Sequence, residues 1–556
     1  MITANILNLF DQTISYGTIS VDKGRIARID RLSPERPGEP YVLPGFVDAH
    51  VHIESSLLTP PQFARLAVVH GTVATVSDPH EIGNVLGVAG VNYMVEEARR
   101  VPFKFMFGAP SCVPATPFET AGATISAQDV SALLAQDEIG YLAEVMNFPG
   151  VLHNDPDMLA KIALAKAFDK PVDGHAPGLT GDEAQRYMDA GISTDHECFT
   201  YEEGLDKARR GMNILIREGS AARNFDALIP LLAEFPAQIM FCSDDKHPDT
   251  LVEGHINQLV VRALQKGHSL WQALRAACLN PVLHYRLPVG LLREGDPADY
   301  IVVADLSELR VEQTVINGEI VAQNGQSMIP DLRSEHVNQF GCSLKTPTDF
   351  AVNADLSNGV PLIRVIEALD GQLITNEIHQ EARVDDGRVV ADTSRDILKL
   401  VVVNRYQDAP PAIAFIKNVG LKQGAIASSV GHDSHNITAV GCDDESICRA
   451  INLVIEAKGG LSVVGGSDGH GALRFMQLPL PVAGLMTDSD GYEVASQYAA
   501  LDQFAKHVLG STLAAPFMTL SFMALLVIPS LKLSDKGLFD GQRFRFTPLQ
   551  IVKQPL

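Results

Sequence analysis

His50 and His52 stand two positions apart in PGFVDAHVHIESS, at the end of an apolar run that reads as a β-strand. Residues i and i+2 on a strand point to the same face, so both imidazoles can reach one cation. An isolated His-x-His is as often a surface or core pair, and it gains meaning only from its company. A second run ends in SDPHE, with Asp78, His80 and Glu81, and a later one, YLAEVMNFPGV, carries Glu144. DGH then supplies His175, TDHE supplies His196, and CSDD supplies Asp244. The chain has only 17 histidines, so several at the ends of successive apolar runs are not scattered at random. Taken singly, His175 or His196 reads as structural. Imidazoles and carboxylates converging from separate strands need a cation between them. The chemistry expected is activation of water, whose pKa a bound divalent metal lowers from about 15.7 to about 7.

Such a convergence requires strands whose ends open on one mouth. Between about residues 44 and 285, short apolar runs alternate with helix-like stretches such as DEAQRYMDAG and EGHINQLVVRALQKG, the rhythm of strand–helix units. Strands are expected to end near Val47, Val76, Phe107, Val145, Val172, Thr194, Ile216 and Phe241. Eight units in about 240 residues match one (β/α)8 TIM barrel, an α/β fold whose chemistry sits at the strand C-termini. An open doubly wound sheet competes, but no Gly-rich phosphate turn follows any early strand. The flanking segments NILNLF, GTISVD and GRIARID, and later DYIVVAD, EQTVING and EIVAQNG, alternate apolar and polar positions between turns. They predict a small β-sheet domain from residues 1–43 and 286–335, beside a barrel over 44–285. Residues 343–359 suit a linker into an additional C-terminal α+β domain, residues 345–556.

PGFVDAHVHIE resembles the first-strand signature of the amidohydrolase superfamily, whose members are metal-dependent hydrolases. One His after strand five, one after strand six and Asp after strand eight complete that pattern. Many members carry a carboxylated Lys on strand four; YLAEVMNFPGV offers none, and Glu144 stands in its place. The segments PGFVDAHVHIESS, VSDPHEIGNV, LAEVMNFPGV, DGHAPGL and FCSDDKHPD are similar to the adenine deaminase family of bacteria and archaea. So are FIKNVGLKQGAIASSVGHDSHNI and PFMTLSFMALLVIPSLKL beyond the barrel, and the resemblance covers nearly the whole chain.

The resemblance implies hydrolytic deamination of adenine to hypoxanthine and ammonia, a purine-salvage reaction. It implies a binuclear site for Mn or Fe, and Zn also suits ligands of these types. His50, His52, Glu144, His175, His196 and Asp244 are the implied ligands, with Asp244 also moving a proton from water to the departing amine. Asp78, His80 and Glu81 are implied in protonating the ring, their division of labour open, and His80 is an additional ligand in prospect. The same site would admit another aminopurine or a cyclic amide such as dihydroorotate or a hydantoin. The missing Lys and the C-terminal region oppose the cyclic amides. A dead barrel kept as a binding scaffold is opposed by the complete ligand set.

Other residues carry weaker signals. Arg217, Glu218 and Ser220 in ILIREGSAA follow strand seven, where they would meet the purine edge or form a salt-bridged loop. Asp245 and Glu197 follow ligands and suit orienting roles. Cys112 in APSCVPATPFE reads as a packed thiol. His432, Asp433, Ser434, His435 and Asn436 form HDSHN, a polar segment suited to closing over the mouth, with His435 a substrate contact.

Composition narrows the function class. The 556 residues exceed what one core holds, and 46% hydrophobic with 20% charged residues suits a folded globular chain. A net charge of −23 repels nucleic acid and anionic membranes, leaving water and a small substrate such as adenine as partners. Seven scattered cysteines without a CxxC pair predict no disulfide framework and a cytoplasmic setting. Residues 508–531 carry no Asp, Glu, Lys or Arg, yet Gly510, Pro516 and Pro529 make a buried segment the expectation rather than a membrane span. A symmetric homo-oligomer, a dimer at least, is expected of such an enzyme.

Overall fold

The computed structural model describes residues 1–220, 222–357, 359–467 and 473–551. Its centre is a ring of eight parallel strands. They are β1 (Phe46–Val51), β2 (Thr72–Ser77), β3 (Lys104–Ala109), β4 (Ile139–Val145), β5 (Val172–Gly174), β6 (Thr194–Asp195), β7 (Asn213–Arg217) and β8 (Ile239–Cys242). β1 to β5 pair in order, as do β6 to β8. Two seams close the ring. Ser193 N donates to Val172 O (2.9 Å), and Asp244 N donates to His50 O (2.9 Å).

The barrel strands FVDAHV and TVATVS are buried at every position, because helices cover the outside of a parallel barrel and side chains fill its inside. All strands but the first end within two residues of their expected ends. β1 continues to Val51, which pairs with Ser77 of β2. His50 therefore lies on the strand and His52 just past it.

An eight-stranded sheet flanks the barrel and draws on both ends of it: Tyr41–Pro44 pairs antiparallel with Tyr300–Val303 and parallel with Ile2–Asn8. Alternate residues Ala4, Ile6, Val42, Tyr300 and Val302 fill its own small core.

A connection without helix or strand, residues 328–346, leads to a nine-stranded mixed sheet. Helix α1 (Asp444–Glu456) covers one face, started by the Asp443 side chain accepting from Ser446 N (2.7 Å) and seated by Ile447, Ile451 and Val454. Within this sheet, strands β9 (Ala425–Ser428) and β10 (Ile437–Gly441) form an antiparallel hairpin. Its tip, residues 429–436, contains HDSHN and enters the barrel mouth.

Residues 508–531 fold into a short helix, Pro516–Ser521, and a 3-10 turn, Phe522–Ala524, both buried. Among the described residues no helix is long and apolar enough to cross a membrane. The seven cysteines are unpaired.

Candidate metal centre

The six side chains at the ends of β1, β4, β5, β6 and β8 meet in one buried cluster. His50 Nε2 and His52 Nε2 lie 3.2 Å apart. Two neutral imidazole nitrogens at that distance repel through their lone pairs unless a proton or a cation sits between them. His52 Nδ1 lies 3.2 Å from the Asp78 carbonyl oxygen, to which it donates, leaving Nε2 bare for a ligand role.

Glu144 occupies the middle. Its Oε2 lies 3.0 Å from His175 Nδ1, 3.0 Å from His196 Nε2 and 3.9 Å from His50 Nε2. Its Oε1 faces the other way, 3.7 Å from His52 Nε2 and 3.5 Å from His80 Nδ1. One carboxylate thus addresses two imidazole groups. Asp244 approaches from β8, with Oδ1 at 3.5 Å from His50 Nε2 and 3.3 Å from His52 Nε2. Its backbone is left-handed at φ 55°, a conformation that aims the carboxylate back into the mouth.

Electrostatics fits a cation. Burial opposes ionisation of Glu144, but His175 and His196 override it and hold the carboxyl well below its usual range. Burial likewise opposes ionisation of Asp244, and Arg217 overrides it to the same effect. The imidazole of His175 is raised to about 9 against burial by Glu197 and Glu144. The carboxylates thus draw positive charge into the cluster. Buried His50 Nδ1, His175 Nε2 and His196 Nδ1 have no hydrogen-bond partner. His50, His196 and Asp244 form one ligand group, Glu144, His175 and His196 another, and His52, Asp78, His80 and Glu144 a third, each close enough to hold an ion. The donor set of imidazole and carboxylate without thiolate suits Mn, Fe or Zn.

The remaining expected residues divide by position. Arg217 and Ser220 do not line the cavity, and of the two expectations, purine contact or salt-bridged loop, the side chains here follow the second. Arg217 is buried behind the ligands, its guanidinium forked between Glu197 (Nη2–Oε2 3.0 Å) and Asp244 (Nη1–Oδ2 2.7 Å). An unpaired guanidinium there would be too costly to leave free for a substrate. Ser220 accepts from His247 N (2.8 Å) and contacts Thr250 Oγ1 (2.9 Å), tying down the β8 loop. Glu218 pairs with Arg262 (2.8 Å). Asp245 accepts from Ser55 Oγ (2.5 Å), and buried Cys112 packs against Ser111 and Met158. Asp78 accepts from His80 N (3.0 Å) and Glu144 N (3.3 Å), so it braces two neighbours and does not line the cavity.

The hairpin tip completes the mouth. His432 Nδ1 lies 2.5 Å from Glu81 Oε1, and His435 Nε2 contacts Glu81 Oε2. His435 therefore sits behind Glu81 and not in the cavity, where it was expected to meet substrate. His80, Glu81, His432 and Asp433 line the cavity together with Leu373, Phe522 and Leu525. The Phe522 ring stacks on His432 at 4.5 Å and 11°.

Residues 41–321 match the amidohydrolase family, and residues 372–545 match the adenine deaminase C-terminal domain. The chain is 54% identical over 543 residues to an adenine deaminase of Sulfurovum sp., covering 98% of each. It is 54% identical over 548 residues to that of Salinibacter ruber, again covering 98% of each. With that of Methanosarcina barkeri it shares 52% over 538 residues, 96% of each. The chain belongs to the adenine deaminase family.

Leu373 lay outside every quoted segment, and Phe522, Leu525 and Lys532 stood inside PFMTLSFMALLVIPSLKL with no role assigned to any of them. Leu373, Phe522 and Leu525 come from far along the chain, and only tertiary contact shows that they wall the cavity. Lys532 is fully buried behind them and donates to Leu373 O (2.7 Å) and Phe522 O (3.0 Å). Burial pulls its pKa down to about 7. A lone Lys in an apolar segment gives no signal beyond its cost of burial.

Proposed function

We propose that this chain hydrolyses adenine to hypoxanthine and ammonia at the barrel mouth. The observation that carries the reading is Glu144: its two oxygens face separate imidazole groups, as a carboxylate shared by two cations must. The near full-length likeness to adenine deaminases supplies the substrate. His50, His52, Glu144, His175, His196 and Asp244 would hold the pair, Mn or Fe by family resemblance. When bound, such ions make water nucleophilic at neutral pH.

The protein's own groups do the rest. Asp244, kept ionised by Arg217, accepts the proton of the attacking water and delivers it to the amine leaving C6. His80 and Glu81, which line the cavity as Asp78 does not, are the pair that serves the ring nitrogen as C6 becomes tetrahedral. Leu373, Phe522 and Leu525 cover the flat base and exclude water. Adenine and water are consumed, and hypoxanthine and ammonia leave.

The test is a panel of aminopurines, cytosine, dihydroorotate and a hydantoin, given to Mn- and Fe-loaded protein, with ammonia release and ultraviolet absorbance recorded. Adenine is expected to be the preferred substrate. Turnover of a cyclic amide with adenine left intact would overturn the assignment.

A further inference from the structure

Arg405 is fully buried, yet none of its contacts among the described residues is a carboxylate. It follows strand Ile397–Val403, whose last residue pairs with Ile437 of β10, so it stands where the hairpin tip returns to its sheet. Nη2 donates to Asn338 Oδ1 (2.8 Å), Gln339 O (3.2 Å) and Ala483 O (2.8 Å), and Nη1 donates to His435 O (3.4 Å). Burying a cation among neutral oxygens alone is costly. Holding the tip does not demand it. The hydroxyl of the adjacent Tyr406 donates to Ser434 O (2.6 Å), and Arg405 N donates to Asn436 Oδ1 (3.2 Å), both without charge. The guanidinium therefore has a role that a neutral donor would not fill.

Its contact on the tip is His435. One edge of that ring is settled: Gly431 N donates to Nδ1 (3.2 Å), so Nδ1 presents a lone pair. The proton of the neutral ring then sits on Nε2, which donates to Glu81 Oε2. A second proton would break the Gly431 bond and place a charge between Arg405 and His432, whose ring lies 5.9 Å away. Burial lowers the pKa of His435; Glu81 pulls it up, and His432 and Arg405 push it down, leaving it below the usual imidazole value.

We infer that Arg405 is a positioning residue for the reaction: its unpaired charge, set against the hairpin tip, keeps His435 a neutral Nε2–H donor to Glu81. The inference rests on the adenine reading above, in which Glu81 serves the ring nitrogen, and adds a residue that reaches the base through two others. Without that charge a doubly protonated His435 would clamp Glu81 as an ion pair and hold its carboxylate back from proton exchange with the ring.

Steady-state kinetics with adenine tests it, on metal-loaded wild type, Arg405→Gln, Arg405→Lys, His435→Gln and the double variant Arg405→Gln/His435→Gln, with metal content measured in each. Arg405→Gln should lower kcat about 10²-fold. KM should move less than about threefold, because the loss lies in the chemical step. Arg405→Lys keeps the charge without the fork and should recover about tenfold of that loss. His435→Gln supplies a side-chain N–H that takes no second proton, and should lose no more than about tenfold. On that background Arg405→Gln should cost less than about threefold, since no ring is left to protonate. If Arg405→Gln does not fold, His435→Gln is read against His435→Leu, which lacks the donor and should fall about 10²-fold. Unchanged kcat in Arg405→Gln, no recovery with Lys, loss of metal, His435→Gln as impaired as His435→Leu, or an undiminished cost on the Gln background overturns the inference. Failure of wild type to deaminate adenine would instead strike the function reading.

Discussion

His432 Nδ1 lies 2.5 Å from Glu81 Oε1, joining a hairpin of the C-terminal region to the loop after the second barrel strand. His435 holds the other oxygen of the same carboxylate. Glu81 is buried, and these two imidazoles, after overcoming the cost of burial, hold its carboxyl well below the usual range. His432→Ala should therefore lower kcat about 10²-fold, the scale of a positioned acid–base group. Metal content should stay at the wild-type level, since His432 belongs to none of the barrel ligands. Metal analysis beside kinetics checks this, and a variant that loses its metal would mean that the hairpin acts on the ligands directly.

Glu144 sets one oxygen against each imidazole group, whereas Asp244 reaches His50 and His52 with Oδ1 alone. Glu144→Ala should cut bound metal by at least half and abolish turnover. Full occupancy with full activity would exclude the shared role. Chelation of the wild type followed by readdition of Mn or Fe should remove and then restore activity.

Arg217→Met leaves Asp244 and Glu197 buried without their cation. Removing one partner of a buried pair costs about 3–5 kcal/mol, so the thermal midpoint should fall. Arg217→Lys keeps charge but loses the fork and should recover only part of the loss. Asp244 supplies a second readout. Arg217 lowers the pKa of Asp244, so its loss raises that pKa, and more acid persists as the unreactive protonated carboxyl. The acid limb of the kcat profile should shift to higher pH in both variants.

Lys532 gives a pH-dependent stability. Its folded pKa is about 7, against about 10.4 in an unfolded chain. Between these values the unfolded state binds more protons, so stability rises with pH. The penalty is full below pH 7 and fades toward pH 10. Lys532→Met should raise the thermal midpoint relative to wild type at pH 6, with the gain shrinking by pH 9.5. Each pKa unit corresponds to about 1.4 kcal/mol. Equal gains at both pH values would show that Lys532 is charged in the fold throughout.

The barrel was legible because parallel strands buried on both faces leave apolar runs, and because a chemical group at the end of each run interrupts it visibly. His50 and His52 announce themselves by spacing once the other histidines and carboxylates at strand ends stand beside them. Arg217 shows the limit. Its place after β7 pointed to the mouth, but whether a side chain there turns toward substrate or back onto Glu197 and Asp244 depends on partners that are 20 and 27 positions away. Asp433 lay inside a recognisable motif, yet its place in the cavity wall depends on the hairpin tip reaching the barrel mouth. Leu373 was invisible for the same reason, and Phe522, though inside the quoted PFMTLSFMALLVIPSLKL, gave no sign of its place in the wall, since nothing local marks a residue that packs against a distant part of the chain.

The hairpin between β9 and β10 also sets an order of assembly. A nascent chain that has emerged through residue 285 already holds every candidate ligand of the barrel, but Glu81 then has neither histidine and the mouth lacks its hairpin tip. Only after residue 436 has left the ribosome can the tip seat itself. The half-made protein would thus hold its candidate ligands without an enclosure, and the mouth is completed only when the tip docks, after most of the chain has been translated.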